Sequence, residues 1–134
     1  GTDRPLLEKL NKEWKLESVV SLLGFQSNPY PFFRAADWFV CSSRAEGYSL
    51  VVAEAQILGI PVIATRCAGI EEHLGKANEW GILVENDDES LLEAMRKVLK
   101  EQELADEYGK RSMERGRRFS FERQMNEIYS VIED

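Results

Sequence analysis

The sequence is poor in the residues that build metal and redox sites. Its 134 residues include two cysteines and one histidine, and they contain neither a CxxC pair nor an HExxH motif. Cys41 and Cys67 are far apart, and Cys41 stands in an apolar run, which predicts a buried thiol. These absences argue against a zinc site or a redox site.

Long apolar runs and excess positive charge are missing as well. No apolar run approaches the ~18–20 residues that cross a bilayer, and the first residues do not have the pattern of a signal peptide. The formal net charge is −7, which argues against nucleic acid as the main partner, because phosphate backbones attract basic surfaces. We therefore expect a cytoplasmic protein that does not bind nucleic acid.

Two glycine motifs of nucleotide-binding folds are absent too. No two of the nine glycines are two residues apart, so the GxGxxG pattern of dinucleotide-binding proteins does not occur. The segment GIEEHLGKA places five residues between Gly69 and Gly75, one more than a P-loop has. Ala77 then stands where that loop needs Ser or Thr, so both motifs are excluded.

The sequence does contain an alternation of apolar strands and helices. Four short apolar runs predict buried strands, at residues 18–25 (SVVSLLGF), 37–43 (DWFVCSS), 61–66 (PVIATR) and 81–84 (GILV). Helices are predicted over residues 5–14, from 31, over 49–58, 71–74, 87–102 and 103–119, and from a cap at Ser120 to the end. This order indicates an α/β protein, a parallel sheet with helices on both faces, in one domain over residues 1–134.

The residues that stand out lie in the loops after the strands, where sheets of this kind bind their ligands. In the segment EGYSL, Gly47 lets a ligand approach the backbone, and Ser49 can cap the helix that follows. The free amides near Tyr48 to Val51, at the positive end of that helix, are suited to hold a phosphate. An ordinary capped helix would carry the same residues, so both interpretations stay open at this point.

Two glutamates near the predicted phosphate site, Glu46 and Glu54, indicate that the ligand also contains sugars. With a diphosphate between them, these sugars would make the ligand a nucleotide-sugar. Glu46 would repel a neighbouring phosphate, so it is predicted to face sugar hydroxyls; a solvated loop carboxylate is the alternative. Glu54 lies about 7–8 Å along the helix from Ser49, among apolar residues, where an unpaired carboxylate is costly. The hydroxyls of a ribose would satisfy it; the alternatives are a buried ion pair and a position at the rim of the core.

These residues belong to a longer pattern. The segments EGYSLVVAE, AQILGIPVIAT and AGIEE resemble the E-x7-E region of retaining glycosyltransferases with the GT-B fold, in particular glycosyltransferase family 4. The resemblance covers essentially the whole chain. The residues that fit the family pattern are Ser43, Glu46, Gly47, Tyr48, Ser49, Leu50, Glu54, Ala55, Gly59, Pro61, Val62, Ala64, Thr65, Gly69 and Glu72.

The resemblance implies a role for each residue of the site. It implies that Glu46 contacts the transferred sugar as the catalytic carboxylate, that Glu54 binds the ribose, and that Gly24 and Phe25 border the base. The backbone amides that would hold the sugar and the diphosphate are those of Gly47, Tyr48, Ser49 and Leu50. No metal or other cofactor is expected, since basic residues and helix amides stabilise the leaving diphosphate in this family.

The resemblance also implies a fold, an activity and partners. The fold would be the Rossmann-like C-terminal half of a GT-B enzyme with C-terminal helices. The full enzyme would transfer a sugar from a nucleoside diphosphate sugar to an acceptor hydroxyl with retention, in glycan, polysaccharide or glycolipid biosynthesis. The acceptor, a glycan or a lipid-linked sugar, would bind through an N-terminal domain that the printed sequence lacks.

Several parts of the family's donor domain are not found in the sequence. Two further strands, and an Arg and a Lys that neutralise the diphosphate, would precede Thr2. We therefore expect a fragment of a longer two-domain chain that is inactive alone. Its open sheet edge would favour oligomers.

Other functions stay open on the residues alone. An NDP-sugar epimerase or a glycogen-phosphorylase-like enzyme would use the same pocket on the same fold. A receiver-like regulatory module would need acidic residues at strand ends, whereas Asp37 precedes its strand. The basic stretch Lys110–Arg118 predicts either a solvated helix face or contact with the inner, acidic face of a membrane.

Overall fold

The structure of the protein, a computed structural model, describes residues 2–45 and 49–133. Its strands form one parallel sheet in the order β1-β2-β3, with β1 at Phe39–Cys41, β2 at Val62–Thr65 and β3 at Ile82–Val84. The helices are α1 (Arg4–Glu13), α2 (Tyr30–Ala35), α3 (Leu50–Ile57), α4 (Ala68–Leu74), α5 (Asp88–Lys100) and α6 (Glu103–Glu133).

The middle strand, β2, shows that helices cover both faces of the sheet. All four of its residues, Val62–Thr65, are buried, and successive side chains of a strand point to opposite faces. Both neighbours pair with it in parallel, in the register Phe39↔Val62 and Ile63↔Ile82. The Rossmann-like α/β arrangement expected from the sequence is therefore confirmed.

Local capping explains where two of the helices begin. The Ser49 hydroxyl accepts a hydrogen bond from the Val52 amide at the start of α3, and Asp87 accepts one from the Ser90 amide, at 2.7 Å, at the start of α5. Each cap satisfies an amide that has no carbonyl partner in the first turn. Gly75, with a φ of 79°, ends α4.

The apolar core is formed by side chains of the sheet and of the helices packed on it, and its first residue in the sequence is Cys41. Every described residue before it is at least partly exposed. The buried residues of the core cluster are Cys41, Val52, Ala55, Ile60, Val62, Ala64, Ile70, Leu74 and Leu83. Eight of them lie in the three strands, in α3 and in α4, and Ile60 lies in the loop between α3 and β2.

The C-terminal helix α6 is one continuous helix, so the predicted break and cap at Ser120 are wrong. No glycine or proline occurs between residues 117 and 133, and a serine alone does not stop a helix. Part of α6 packs closely on α3: a Cβ added at Gly116 would stand 2.5 Å from the Gln56 carbonyl oxygen. Glycine is needed at this crossing because the two backbones nearly touch.

The predicted strand over residues 18–25 is also wrong. This segment is irregular, and side chains of α1 bind its carbonyls: Arg4 donates to Leu22 at 3.3 Å and Asn11 to Val20 at 3.2 Å. No described strand lies beside the segment. A strand needs a neighbouring backbone to pair its amides and carbonyls, and α1 offers only side chains.

The basic stretch Lys110–Arg118 makes part of its contacts inside the chain. Arg111 donates to the Asn78 carbonyl at 2.8 Å, and the Arg118 guanidinium lies 4.6 Å from the centre of the Trp80 ring. Contact with a membrane surface stays a prediction. Across residues 2–45 and 49–133, no helix combines the length and the apolarity needed to cross a bilayer.

Candidate functional site

The carboxyl ends of the three strands form one polar edge of the sheet. A cavity of about 220 Å³ opens there. Residues after β1 and near the ends of β2 and β3 line it, together with two residues of α5: Ser42, Arg44, Thr65, Asn86, Asp87, Asp88 and Leu91. This is the edge at which the sequence predicted the ligand site.

Helix α3 starts at the same loop, immediately after the segment that follows β1. Its cap Ser49 is 3% exposed, and the hydroxyl lies 3.3 Å from the Val52 nitrogen. Leu50, the first helical residue, is exposed. In a helix capped in this way, the first amides remain directed at the space in front of the helix, where the helix dipole is positive.

Three predicted site residues, Glu46, Gly47 and Tyr48, lie outside the described residues. Their roles stay predictions. The described neighbours on each side are Ala45 and Ser49.

Glu54 lies on α3 between the core and solvent. The sequence predicted a carboxylate enclosed by apolar side chains, but Glu54 is only half-buried. Leu50, Val51 and Ile57 of the same helix are exposed, which explains why the enclosure is partial. Among the described residues, no hydrogen bond or ion pair engages the Glu54 carboxylate, so a buried ion pair with one of them does not account for it.

Two arginines at the polar edge differ in their partners. Arg66, which follows β2, pairs with Glu71 at 2.8 Å and with Glu85 at 3.1 Å. The hydrogen bond to Glu71, helped by Glu85, raises the pKa of Arg66 above its usual value. Arg44 is exposed and forms no ion pair with another described residue, so it is the arginine of this edge whose charge is free to meet an anion.

Gly24 and Phe25, predicted to border the base, lie in an apolar hollow of about 450 Å³. Gly24 has a φ of 67°, and Phe25 is 94% exposed. The other residues that line the hollow are Leu23, Gln26, Pro29, Phe32, Phe33, Ala36 and Phe39.

The hollow and the polar edge are separate places on the sheet. Phe39, which lines the hollow, is the first residue of β1, whereas Ser42 comes after its last residue. The two cavities share no lining residue. The structure therefore does not join Gly24 and Phe25 to the polar edge, and their role at the base stays a prediction.

Two residues of the polar edge were not assigned a role from the sequence. Thr65 and Asn86 both donate hydrogen bonds to carbonyls of the loop after β1. Thr65 matches the family pattern, but the pattern does not say what its hydroxyl does. Asn86 carries no signal in the sequence beyond its place two residues after a strand.

Metal ligands are not gathered anywhere in the part of the chain that the structure describes: no three His, Cys, Asp or Glu side chains there stand close enough to share an ion. Cys41 is buried and Cys67 half-buried, and neither forms a disulfide.

The family model for "Glycosyl transferases group 1" matches residues 1–101 of the chain. The chain therefore belongs to the group 1 glycosyltransferases. The resemblance predicted from the E-x7-E region is thereby confirmed.

Two relatives show how much of the chain is shared. An N-acetylgalactosaminyltransferase of Campylobacter jejuni, named for an undecaprenol diphosphate-linked acceptor, is 34% identical over 121 residues, which is 89% of this chain and 33% of that protein. The lipopolysaccharide core biosynthesis glycosyltransferase LpsE of Rhizobium meliloti is 30% identical over 115 residues, 85% of this chain and 34% of that protein. The chain thus spans about a third of the length of these relatives.

A solved structure supports the fold. Sucrose-phosphate synthase from Thermosynechococcus elongatus superposes with a TM-score of 0.80 at 29% sequence identity, covering 98% of this chain and 35% of that one. The chain has the Rossmann-like architecture of one part of a GT-B enzyme.

Proposed function

We propose that this chain carries the donor site of a retaining glycosyltransferase, which transfers a sugar from a nucleoside diphosphate sugar to an acceptor hydroxyl. The observation that carries the proposal is the start of α3, the helix that follows β1: it has a buried serine cap, and the half-buried Glu54 on the same helix has no partner among the described residues. The relatives named above are transferases, which favours transfer over epimerisation or a regulatory role.

The diphosphate would bind in front of α3. The Ser49 hydroxyl occupies the Val52 amide, which leaves the amides of Leu50 and Val51 for phosphate oxygens. Those dipoles are fixed before the ligand arrives, so they can stabilise the charge of the leaving diphosphate without a bound metal. Arg66 is not available for this task, because two carboxylates hold it.

The two glutamates would bind the two sugars of the donor, the ribose and the transferred sugar. Glu54 lies just over one turn along α3 from its cap, within reach of a ribose attached to the diphosphate, and its carboxylate can accept from both ribose hydroxyls. Glu46 precedes the helix by sequence, and we assign it to hydroxyls of the transferred sugar. It acts by position and charge rather than as a covalent nucleophile.

The whole protein would be longer than the printed chain. We propose a two-domain, cytoplasmic enzyme whose second domain binds a glycan or a lipid-linked acceptor, in glycan, polysaccharide or glycolipid biosynthesis. Acceptors on lipids would bring it to the inner face of a membrane. The donor domain alone, residues 1–134, would not catalyse transfer, and the open edge of its sheet would favour self-association.

The test of this function is turnover by the full-length protein with Glu46→Gln, which keeps the shape of the side chain and removes its charge. We expect kcat to fall about tenfold or more, as for loss of a charged hydrogen bond, while the affinity for the bare nucleoside diphosphate is unchanged. Glu93→Gln, an exposed carboxylate of α5, is the matched control.

Two results would contradict the proposal. One is wild-type turnover by Glu46→Gln. The other concerns stereochemistry: proton NMR of the first product should show the anomeric configuration of the donor, and an inverted product would exclude retention.

A further inference from the structure

The end of β2 is tied to the loop after β1 by a buried side chain. Thr65 is 3% exposed, and its hydroxyl lies within hydrogen-bond distance of two carbonyls, that of Cys41 at the end of β1 and that of Ser43 in the loop. Ser43 is the nearer acceptor. The hydroxyl thus fixes a point of the loop beyond the last β1–β2 pair, Cys41↔Ala64.

The end of β3 is tied to the same loop. The Asn86 side-chain nitrogen lies 2.9 Å from the Arg44 carbonyl oxygen, 3.5 Å from that of Ser43 and 3.4 Å from that of Arg66. The amide has two hydrogens to give, and the Arg44 carbonyl is its best-placed acceptor. The consecutive carbonyls of Ser43 and Arg44 therefore accept hydrogen bonds from side chains at the ends of two different strands, β2 and β3.

We propose that Thr65 and Asn86 are positioning residues for the transfer reaction. They hold the carbonyls of Ser43 and Arg44, and Glu46, which we assign to the transferred sugar, follows Arg44 by two residues in the sequence. This inference rests on the proposed role of Glu46 at the transferred sugar.

The sheet does not need these two side chains in order to form. The backbone of Thr65 pairs with Val84 in the β2–β3 ladder whatever its side chain is, and Asn86 lies after the last residue of β3. Their polar groups instead act where the backbone leaves the sheet. A catalytic carboxylate displaced by about 1 Å can lose up to about a hundredfold in rate, so a small change in the loop is enough to matter.

The first test compares Thr65→Val, Thr65→Ser and Asn86→Asp in the full-length protein. Valine keeps the shape of threonine without the hydroxyl, serine keeps the hydroxyl, and aspartate removes the amide donors of Asn86. We expect Thr65→Val and Asn86→Asp to lower kcat by about tenfold to a hundredfold. Thr65→Ser should stay close to wild type.

The affinity for the bare nucleoside diphosphate serves as the check on folding. It should stay within about twofold in all three variants, since the diphosphate is assigned to the amides of α3. Equal losses of kcat and of nucleotide affinity would show a general structural effect and overturn the inference.

The second test is a double-mutant cycle with Glu46→Gln, because residues that act through a common group are not additive. We expect Thr65→Val to lower kcat little further once Glu46 is Gln. If it lowers kcat by the same factor in both backgrounds, Thr65 does not act through Glu46 and the inference is wrong.

The outcomes separate the two proposals. If Glu46→Gln alone keeps wild-type turnover, the proposed function fails, and the positioning role fails with it. If Glu46→Gln is impaired while Thr65→Val and Asn86→Asp keep wild-type kcat, only the positioning role fails.

Discussion

Residues 2–36 and residues 37–119 carry similar apolar patterns, yet they behave differently in the fold. No described side chain of the first region is buried, whereas the described residues of the core cluster all lie in the second. Val19 is 75% exposed and Phe25 94%, while Ile63 is fully buried. An apolar run therefore becomes a strand only where another backbone offers hydrogen-bond partners, as β1, β2 and β3 do for one another.

The largest loss of stability is expected when an apolar residue of the second region is replaced, with an apolar residue of the first region as its comparison. Ile63→Ala removes a side chain buried in the central strand, and we expect it to lower the free energy of unfolding by about 2–5 kcal/mol. Phe25→Ala removes an exposed ring and should change it by less than about 0.5 kcal/mol. Urea unfolding measures both, and similar losses would show that residues 18–25 also contribute to the core.

A smaller loss of stability is expected at the residue that precedes α3, compared with the residue that precedes α1. Ser49 caps α3 through its side chain, whereas Asp3, before α1, makes no such bond. Ser49→Ala should lower the free energy of unfolding by about 1 kcal/mol, and Asp3→Ala by clearly less. The comparison is read from urea unfolding of the two variants, and equal losses would contradict the assigned caps.

The smallest effect comes from the sole histidine, His73, which lies in the buried region. Burial, with a contribution from the charge of Arg115, lowers the pKa of His73 below 6.5. The unfolded chain then binds a proton more readily than the folded chain. The stability contribution is therefore complete above about pH 6.5 and is lost as the pH falls from there to the folded pKa.

The measurement for His73 is the free energy of unfolding at several pH values between 5 and 7.5, in the wild type and in His73→Leu. The wild type should lose more stability toward low pH than the variant does. Parallel curves would mean that His73 does not take part in the pH dependence.

Features fixed within a few residues were predictable from the sequence. The cap Ser49, the strands after Asp37 and Pro61, and the end of α4 near Gly75 follow from local rules, which also narrow the cap of α5 to Asp87 or Asp88. The irregular course of residues 18–25 was not predictable, because strand pairing depends on which backbone lies beside the segment. The continuity of α6 through Ser120 was not predictable either, since serine is tolerated both at caps and inside helices.

The site shows the same limit. The position of Ser49 was predictable, because a cap and its helix adjoin in sequence. The contact between Asn86 and Arg44 joins residues 42 positions apart, and no local pattern indicates it. The partial exposure of Glu54 depends on what covers α3, which the apolar neighbours in the sequence do not reveal.

The central claim, that α3 binds a nucleoside diphosphate sugar with Glu54 on the ribose, is tested most directly by calorimetric titration. UDP, GDP and ADP are titrated into the full-length protein, its Glu54→Ala variant and the control Glu93→Ala. We predict that Glu54→Ala raises the Kd of the bound nucleotide by about tenfold or more, while Glu93→Ala stays within about twofold. Wild-type affinity in Glu54→Ala would contradict the assignment of Glu54 to the ribose.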